Sequence, residues 1–247
     1  LNQLFKMHME LKNDLRATTR ENYNRMWHNT VEASAIGKKK ISDIKQVHVK
    51  AFYVDCVKAG LKRNTIKLIH NLIFSSFELA VDSDFIRKNP AKGAMENIKQ
   101  DAGEKIPLSE DEIKRLIDFC INSGTYSIHV PFLTIAIGTC LRCGEITGLT
   151  WSDIDMKNRT ISVNHQLIYK NFGDGCKFHV SEPKTDAGKR TIPMTETVHR
   201  AFVELRKQNL ILGRRSDAEV DGYSNFVFVS GNGQPFAINA VNSFLLN

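Results

Sequence analysis

The sequence predicts a mainly α-helical protein with a small antiparallel β-sheet, arranged in two parts. Up to about Ala94, apolar residues recur every three or four positions between short polar joints, the period of helices that bury one face. The periodicity then stops in a polar stretch behind Asn89-Pro-Ala, the composition of a linker. After Trp151 the apolar residues alternate in short runs, as strands do. The expected organisation is an all-α domain over residues 1–94, a linker over 95–106, and an α+β domain over 107–247.

In the first part, Leu1 to Lys12 predicts one helix, and Thr18 or Thr19 is placed to cap a second with Tyr23 and Trp27 facing inward. Gly37 with Lys38, Lys39 and Lys40 predicts a break. A third helix is expected from Ser42-Asp-Ile-Lys through Val47, Phe52 and Cys56 to Gly60, and a fourth from about Asn64 through Ile66, Ile69, Leu72, Ile73, Phe77 and Val81 to Asp84. Four such helices make an all-α domain of ordinary size.

In the second part, Ser109 with Glu112 three residues on has capping-box spacing and starts a helix. A further helix is expected from Tyr126 to Leu141, with Pro131 near its start, ending at Arg142. Thr160-Ile-Ser-Val, Phe178-His-Val and Thr191-Ile-Pro predict one small antiparallel sheet, with Asp186-Ala-Gly188 as the turn of a hairpin that carries Lys184. Thr195 caps an amphipathic helix through Val198, Phe202, Leu205 and Leu210. Asn225-Phe-Val-Phe-Val predicts a strand before a Gly231-Asn-Gly turn, and a last helix begins at Ile238.

With 42% hydrophobic and 25% charged residues, the composition is that of a globular chain rather than a disordered one. No run of about 18 apolar residues and no signal-peptide core are present, so a cytoplasmic protein without a membrane partner is expected. The five cysteines, at 56, 120, 140, 143 and 176, form no disulfide framework. Cys140-Leu-Arg-Cys143 has no second pair for zinc, so no metal and no cofactor are expected, and two buried small residues are the plainer reading.

The net charge of +7 is uneven: residues 1–100 hold 18 basic and 10 acidic side chains. Residues 177–215 hold nine basic against four acidic, a second basic patch in an otherwise acidic part. Two separated basic surfaces suit a protein that grips a polyanion from two sides. Ordinary solubilising charge would give the same counts.

Residues 138–155, Gly-Thr-Cys-Leu-Arg-Cys-Gly-Glu-Ile-Thr-Gly-Leu-Thr-Trp-Ser-Asp-Ile-Asp, put one arginine at the end of an apolar run, three residues before a glutamate. A braced guanidinium offers a planar fork to two phosphate oxygens, although an ion pair between Arg142 and Glu145 at a helix end would account for the pattern as well. The string resembles the first arginine box of the tyrosine recombinases, the phage and conjugative-transposon integrases, with Cys140 where a glycine is usual. Lys184-Thr with Arg190-Thr-Ile-Pro resembles the family's lysine segment, and Asn89-Pro-Ala resembles the end of its core-binding domain.

The resemblance implies a core-binding domain followed by a catalytic domain, double-stranded DNA as partner, assembly as a homotetramer on DNA, and a metal-free reaction in a bacterial cytoplasm. The resemblance implies that integration and excision of a mobile element proceed through a 3′-phosphotyrosyl intermediate. It implies Arg142 as a catalytic arginine, Lys184 as the acid for the leaving 5′-oxygen, and Glu145 as a brace. Arg190 reads as a phosphate clamp. Helix N-termini bind phosphates, so Thr18, Thr19 and Arg20, and Lys62, Arg63, Asn64 and Thr65, are candidate DNA contacts, with Lys38, Lys39 and Lys40 following the backbone. Caps and solubilising charge are the alternative for each cluster.

The family's His-x-x-Arg box and later nucleophilic tyrosine have no counterpart in these residues, and Tyr23, Tyr53, Tyr126, Tyr169 and Tyr223 all precede the point where they belong. The expectation is a catalytic domain incomplete at its C-terminus, inactive in cleavage by itself. A non-cleaving DNA-binding accessory protein with the same clamp is the alternative, and a helical protein-interaction module is a third.

Overall fold

The computed structural model describes residues 1–96, 98, 106–237, 239 and 243. The chain forms two compact units, Leu1–Lys105 and Ile106–Asn247.

The first unit is helical: α1 (Asn2–Leu11), α2 (Ala17–Trp27), a short α3 (Ala35–Lys38), α4 (Gln46–Lys58) and α5 (Arg63–Asp82). The 20-residue α5 organises it, because Ile66, Ile69, Leu72, Ile73, Phe77 and Ala80 fall on one stripe and all are buried. Against that stripe lie Phe5, stacked on Trp27 at 4.0 Å between ring centroids, and Val49, Phe52 and Tyr53 of α4. Asn89 closes the unit: its amide donates to the Phe74 carbonyl at 3.1 Å and Glu78 Oε1 at 2.6 Å, and its Oδ1 accepts from Ala91 N at 2.8 Å. The Asn-Pro-Ala triplet is thus a fastening for the end of the helical unit.

Three expectations here are corrected. Thr18 and Thr19 lie inside the first turn of α2, and the N-cap is Arg16. The break expected at Gly37 to Lys40 falls after Lys38, where Lys39 and Lys40 are extended, while Gly37 itself is buried in α3, where a Cβ would sit 2.1 Å from the Val31 carbonyl oxygen. The third long helix begins at Gln46, after a 3-10 turn over Ile41–Asp43, and Val47 faces outward.

The second unit starts with α6 (Glu110–Asn122), where Ser109 Oγ accepts from Glu112 N and Glu112 Oε2 accepts from Ser109 N at 2.8 Å. The capping box read from the sequence is therefore formed. Next come α7 (Val130–Thr139) and α8 (Cys143–Gly148). The strands are β1 (Ile154–Asp155), β2 (Thr160–Val163), β3 (Gln166–Asn171), β4 (Cys176–Ser181) and β5 (Arg190–Pro193), and α9 (Glu196–Ile211) packs on α7. Thr195 Oγ1 accepts from Val198 N at 3.3 Å, as a capping threonine does.

The strands form two sheets, not one: β1-β2-β5 and the hairpin β3-β4, each antiparallel. Lys184 accordingly lies on a connection between sheets and not on a hairpin. The missed strand β3 has a place because α8 approaches it closely: a Cβ on Gly148 would stand 2.8 Å from Leu167 N, so only glycine fits.

Phe226 to Val229 are buried but irregular, held by Val227 N on the Leu149 carbonyl at 2.8 Å, so the strand expected there is not formed. Leu210 is 78% exposed and does not join the inner face of α9. The expected last helix from Ile238, and most of the 95–106 linker, lie outside the described residues. Among the described residues no helix is long and apolar enough to cross a membrane.

Candidate active site

The arginine box is built by a turn between two helices. Thr139 ends α7, Cys140 takes a left-handed conformation at φ 51° and ψ 28°, Leu141 is buried, and Arg142 becomes the N-cap of α8. The sequence expectation that the longer helix runs to Arg142 is thus corrected by the Cys140 turn. This left-handed residue stands where the family usually has glycine, which adopts that geometry without steric cost. Cys140 is also exposed and Cys143 partly buried, so the two are not a buried pair.

Glu145, third residue of α8, is buried and receives four hydrogen bonds. Its Oε2 accepts from Arg142 N at 3.0 Å and Arg190 Nη2 at 2.8 Å; its Oε1 accepts from Arg142 Nη1 at 2.8 Å and Arg190 Nη1 at 3.2 Å. Burial by itself pushes this carboxyl up. The hydrogen bonds from the Arg190 side chain and from the Arg142 backbone and side chain, with the Arg190 charge, outweigh burial and hold it at about 2. Glu145 in turn raises the pKa of Arg190. The site therefore holds a carboxylate, kept ionised well below its usual range, between two guanidinium groups.

The two arginines differ in exposure. The Arg142 side chain is 76% exposed, so most of its fork faces outward although one nitrogen is tied to Glu145. Arg190 is 32% exposed and both of its terminal nitrogens are engaged, Nη1 also donating to the Gly188 carbonyl at 3.2 Å. The phosphate-clamp reading of Arg190 is corrected accordingly: its fork is turned onto Glu145.

Arg142 and Lys184 line a single cleft of about 880 Å³, together with Cys140, Glu145, His165, Pro183, Thr185 and Arg190. With Arg142, Lys184 and Arg190 against Glu145, the side chains named carry a net charge of +2, suited to an anion. None of the five tyrosines lines this cleft. The sequence reading missed His165, whose Nε2 donates to the Gly148 carbonyl at 2.7 Å, whose Nδ1 meets Asn164 Oδ1, and whose ring lies 4.2 Å from that of Tyr223. A histidine between two strands, whose partner is 17 residues away, gives no local signal.

The N-terminal candidates divide in two. Arg20 donates to the Met9 carbonyl at 2.7 Å and to that of Lys12, so its guanidinium caps the end of α1 and is not turned outward as a DNA contact. Arg63 Nε is likewise committed to the Ile98 carbonyl at 2.7 Å. Thr18 and Thr19 lie in the first turn of α2 and are half-buried. Lys62 is the N-cap of α5, Asn64 and Thr65 lie in its first turn, and Lys62 and Asn64 are exposed. Lys38 and Lys40 are exposed and Lys39 is half-buried.

A buried glutamate held by two arginines, and a lysine lining the same basic cleft, lie in an α+β unit that follows a helical one in sequence. The sequence pattern of the phage integrase family matches residues 107–246, and the chain belongs to that family. It is 29% identical over 213 residues to the transposase from transposon Tn916 of Enterococcus faecalis, covering 85% of this chain and 51% of the transposase. It is 30% identical over 186 residues to a XerC-like tyrosine recombinase of Caldanaerobacter subterraneus subsp. tengcongensis, covering 71% of this chain and 46% of that protein. The chain thus spans about half the length of the curated relatives it matches.

Among solved structures, the Tn1549 transposon integrase in complex with a circular intermediate DNA superposes with a TM-score of 0.86 and 30% identity, covering 96% of this chain and 73% of that one. A lambda integrase dimer bound to a COC' core site superposes with a TM-score of 0.68 at 17% identity, over 100% of this chain and 61% of that one, a likeness of fold alone. The mainly α architecture with a helical unit ahead of an α+β unit is the family's.

Proposed function

We propose that this chain supplies the phosphate-holding arginine and the proton-donating lysine of a site-specific recombinase that cuts and rejoins double-stranded DNA to integrate and excise a mobile element. A tyrosine hydroxyl gives up its proton to solvent as its oxygen forms a bond to the scissile phosphorus, the bond to the 5′-oxygen breaks, and that oxygen takes its proton from Lys184, which is reprotonated from solvent. The 3′-phosphotyrosyl link is reversed when a 5′-hydroxyl of the partner strand attacks. Arg142 donates to the non-bridging oxygens as their charge grows, a stabilisation worth most when the donors are fixed beforehand.

The observation that carries this reading is the convergence of Arg142 and Lys184 on one cleft from segments 42 residues apart, with the outward fork of Arg142 anchored by Glu145. The ammonium suits the acid's role because, unlike a guanidinium, it can release a proton. For the helical unit the proposed DNA contacts are Thr18, Thr19, Lys38, Lys39, Lys40, Lys62, Asn64 and Thr65, as helix-start and loop donors to phosphates. The proposed working form is a homotetramer on DNA in a bacterial cytoplasm.

Anisotropy titration of a labelled duplex with residues 1–247 tests the reading. If about six to ten phosphates are contacted, log K falls against log salt with a slope of roughly −5 to −9. An affinity that ignores salt contradicts it. A nicked suicide substrate should give no covalent adduct with residues 1–247, since none of their tyrosines lines the cleft; a stable adduct would assign the nucleophile to one of those five.

A further inference from the structure

Arg190 has bonds that the proposed chemistry does not use. Beyond its two bonds to Glu145, its Nη1 donates to the Gly188 carbonyl at 3.2 Å. Gly188 ends the turn that follows Lys184, and a Cβ there would stand 2.4 Å from Pro183 Cβ, so the segment from 183 to 188 folds back on itself. Gly188 N donates to the Thr185 carbonyl and Lys189 N to that of Asp186, each at 2.9 Å, which tightens the turn further. The lysine loop is therefore a closed unit tied to Arg190, while Arg190 is tied to the carboxylate that holds both the backbone N–H and the side chain of Arg142.

We propose that Arg190 is a positioning residue that registers the Lys184 loop against Arg142 through Glu145, so that the proton donor and the phosphate-holding fork are set by one shared carboxylate. This rests on the recombinase reading of the cleft. The planar guanidinium suits the task because it makes two near-parallel bonds to Glu145 and turns a remaining N–H on the loop, whereas a lysine keeps the charge without that geometry. A displacement of about 1 Å in a reacting group costs on the order of 10²-fold in rate, so loosening the loop is felt at the chemistry even though Arg190 touches no substrate.

The test uses Arg190→Gln and Arg190→Lys. In the full-length gene product, Arg190→Gln should slow covalent-complex formation on an ordinary phosphodiester by about 10- to 10²-fold. A substrate with a 5′-bridging sulfur, whose leaving group needs little protonation, should recover most of that loss. Arg190→Lys should fall between the two, and duplex affinity should stay within about twofold of wild type. A defect that the sulfur substrate leaves untouched would overturn the proposal, since Arg190 would then act on Arg142 alone. So would a loss of duplex affinity as large as the loss of rate, since Arg190 would then hold phosphate.

Hydrogen exchange on residues 1–247 without DNA gives a second arm independent of cleavage. Arg190→Gln should speed exchange at the Gly188 and Lys189 amides about tenfold and leave the amides of β2 and α9 at wild-type rates. Unchanged loop exchange, or an equal acceleration throughout the second unit, would overturn the proposal, the latter by making Arg190 a general stabiliser. If wild-type protein fails to cleave, the recombinase reading fails, and the exchange arm still decides whether Arg190 holds the loop.

Discussion

The carboxylate of Glu145 is shared between two arginines: Arg190 lies on both of its oxygens at 2.8 and 3.2 Å, and Arg142 reaches it with its backbone N–H at 3.0 Å and with Nη1 at 2.8 Å. Arg190 is spent on the protein, and Arg142 keeps most of its fork outward. The ion pair between Arg142 and Glu145 is therefore compatible with the proposed catalytic role, since it fixes one nitrogen and leaves most of the fork outward.

Arg142→Lys keeps the charge and loses the planar fork. In the full-length gene product, strand cleavage should fall by about 10²-fold or more while duplex affinity changes little. Near-normal formation of the covalent complex by this variant would leave Arg142 only a bracing part.

Glu145 ties acid stability to this site. Its carboxyl is held at about 2 against an ordinary 4.5, so the stabilisation is complete above pH 4.5 and is lost as pH falls towards 2. The shift corresponds to about 3 kcal/mol, to order of magnitude. Urea unfolding of wild type and Glu145→Gln should differ by roughly that amount at pH 6, and the difference should shrink steadily as pH falls from 4.5 towards 2. A difference that is flat with pH would mean that the carboxylate is not held by its partners.

Cys140 carries a left-handed backbone at φ 51°. A side chain there costs about 1–2 kcal/mol, and glycine gives back about 0.5–1 kcal/mol through its greater freedom when unfolded. Cys140→Gly should therefore stabilise the second unit by about 0.5–1 kcal/mol, raising its thermal midpoint by about 2–3 °C. A lowered midpoint would show that the thiol contributes more than the backbone strain costs.

Much of the fold was legible because it rests on local chemistry. The stripe of α5, the Ser109–Glu112 capping box and the Thr195 cap all involve residues three or four apart. What the sequence did not yield depends on distant partners. β3 exists because α8 presses Gly148 against it, and the alternation of Thr191-Ile-Pro could not say that its partner would be β2 and not β4. The motifs singled out Arg142 and Lys184, which line one cleft. The commitments of Arg20 to α1, Arg63 to Ile98 and Arg190 to Glu145 were not legible, since a guanidinium in a sequence looks the same whether its partner is a phosphate or a carbonyl.

The most direct test of the shared site compares Lys184→Ala with Arg142→Lys in the full-length gene product on two substrates, one ordinary and one with sulfur at the bridging 5′ position. On the ordinary phosphodiester, Lys184→Ala should lose about 10²- to 10⁴-fold in cleavage rate, the usual worth of a general acid. The sulfur substrate should restore Lys184→Ala and leave Arg142→Lys defective, because only the lysine's task disappears when the leaving group needs no proton. Equal defects of Lys184→Ala on both substrates would contradict this account and reduce Lys184 to a residue that merely borders the cleft.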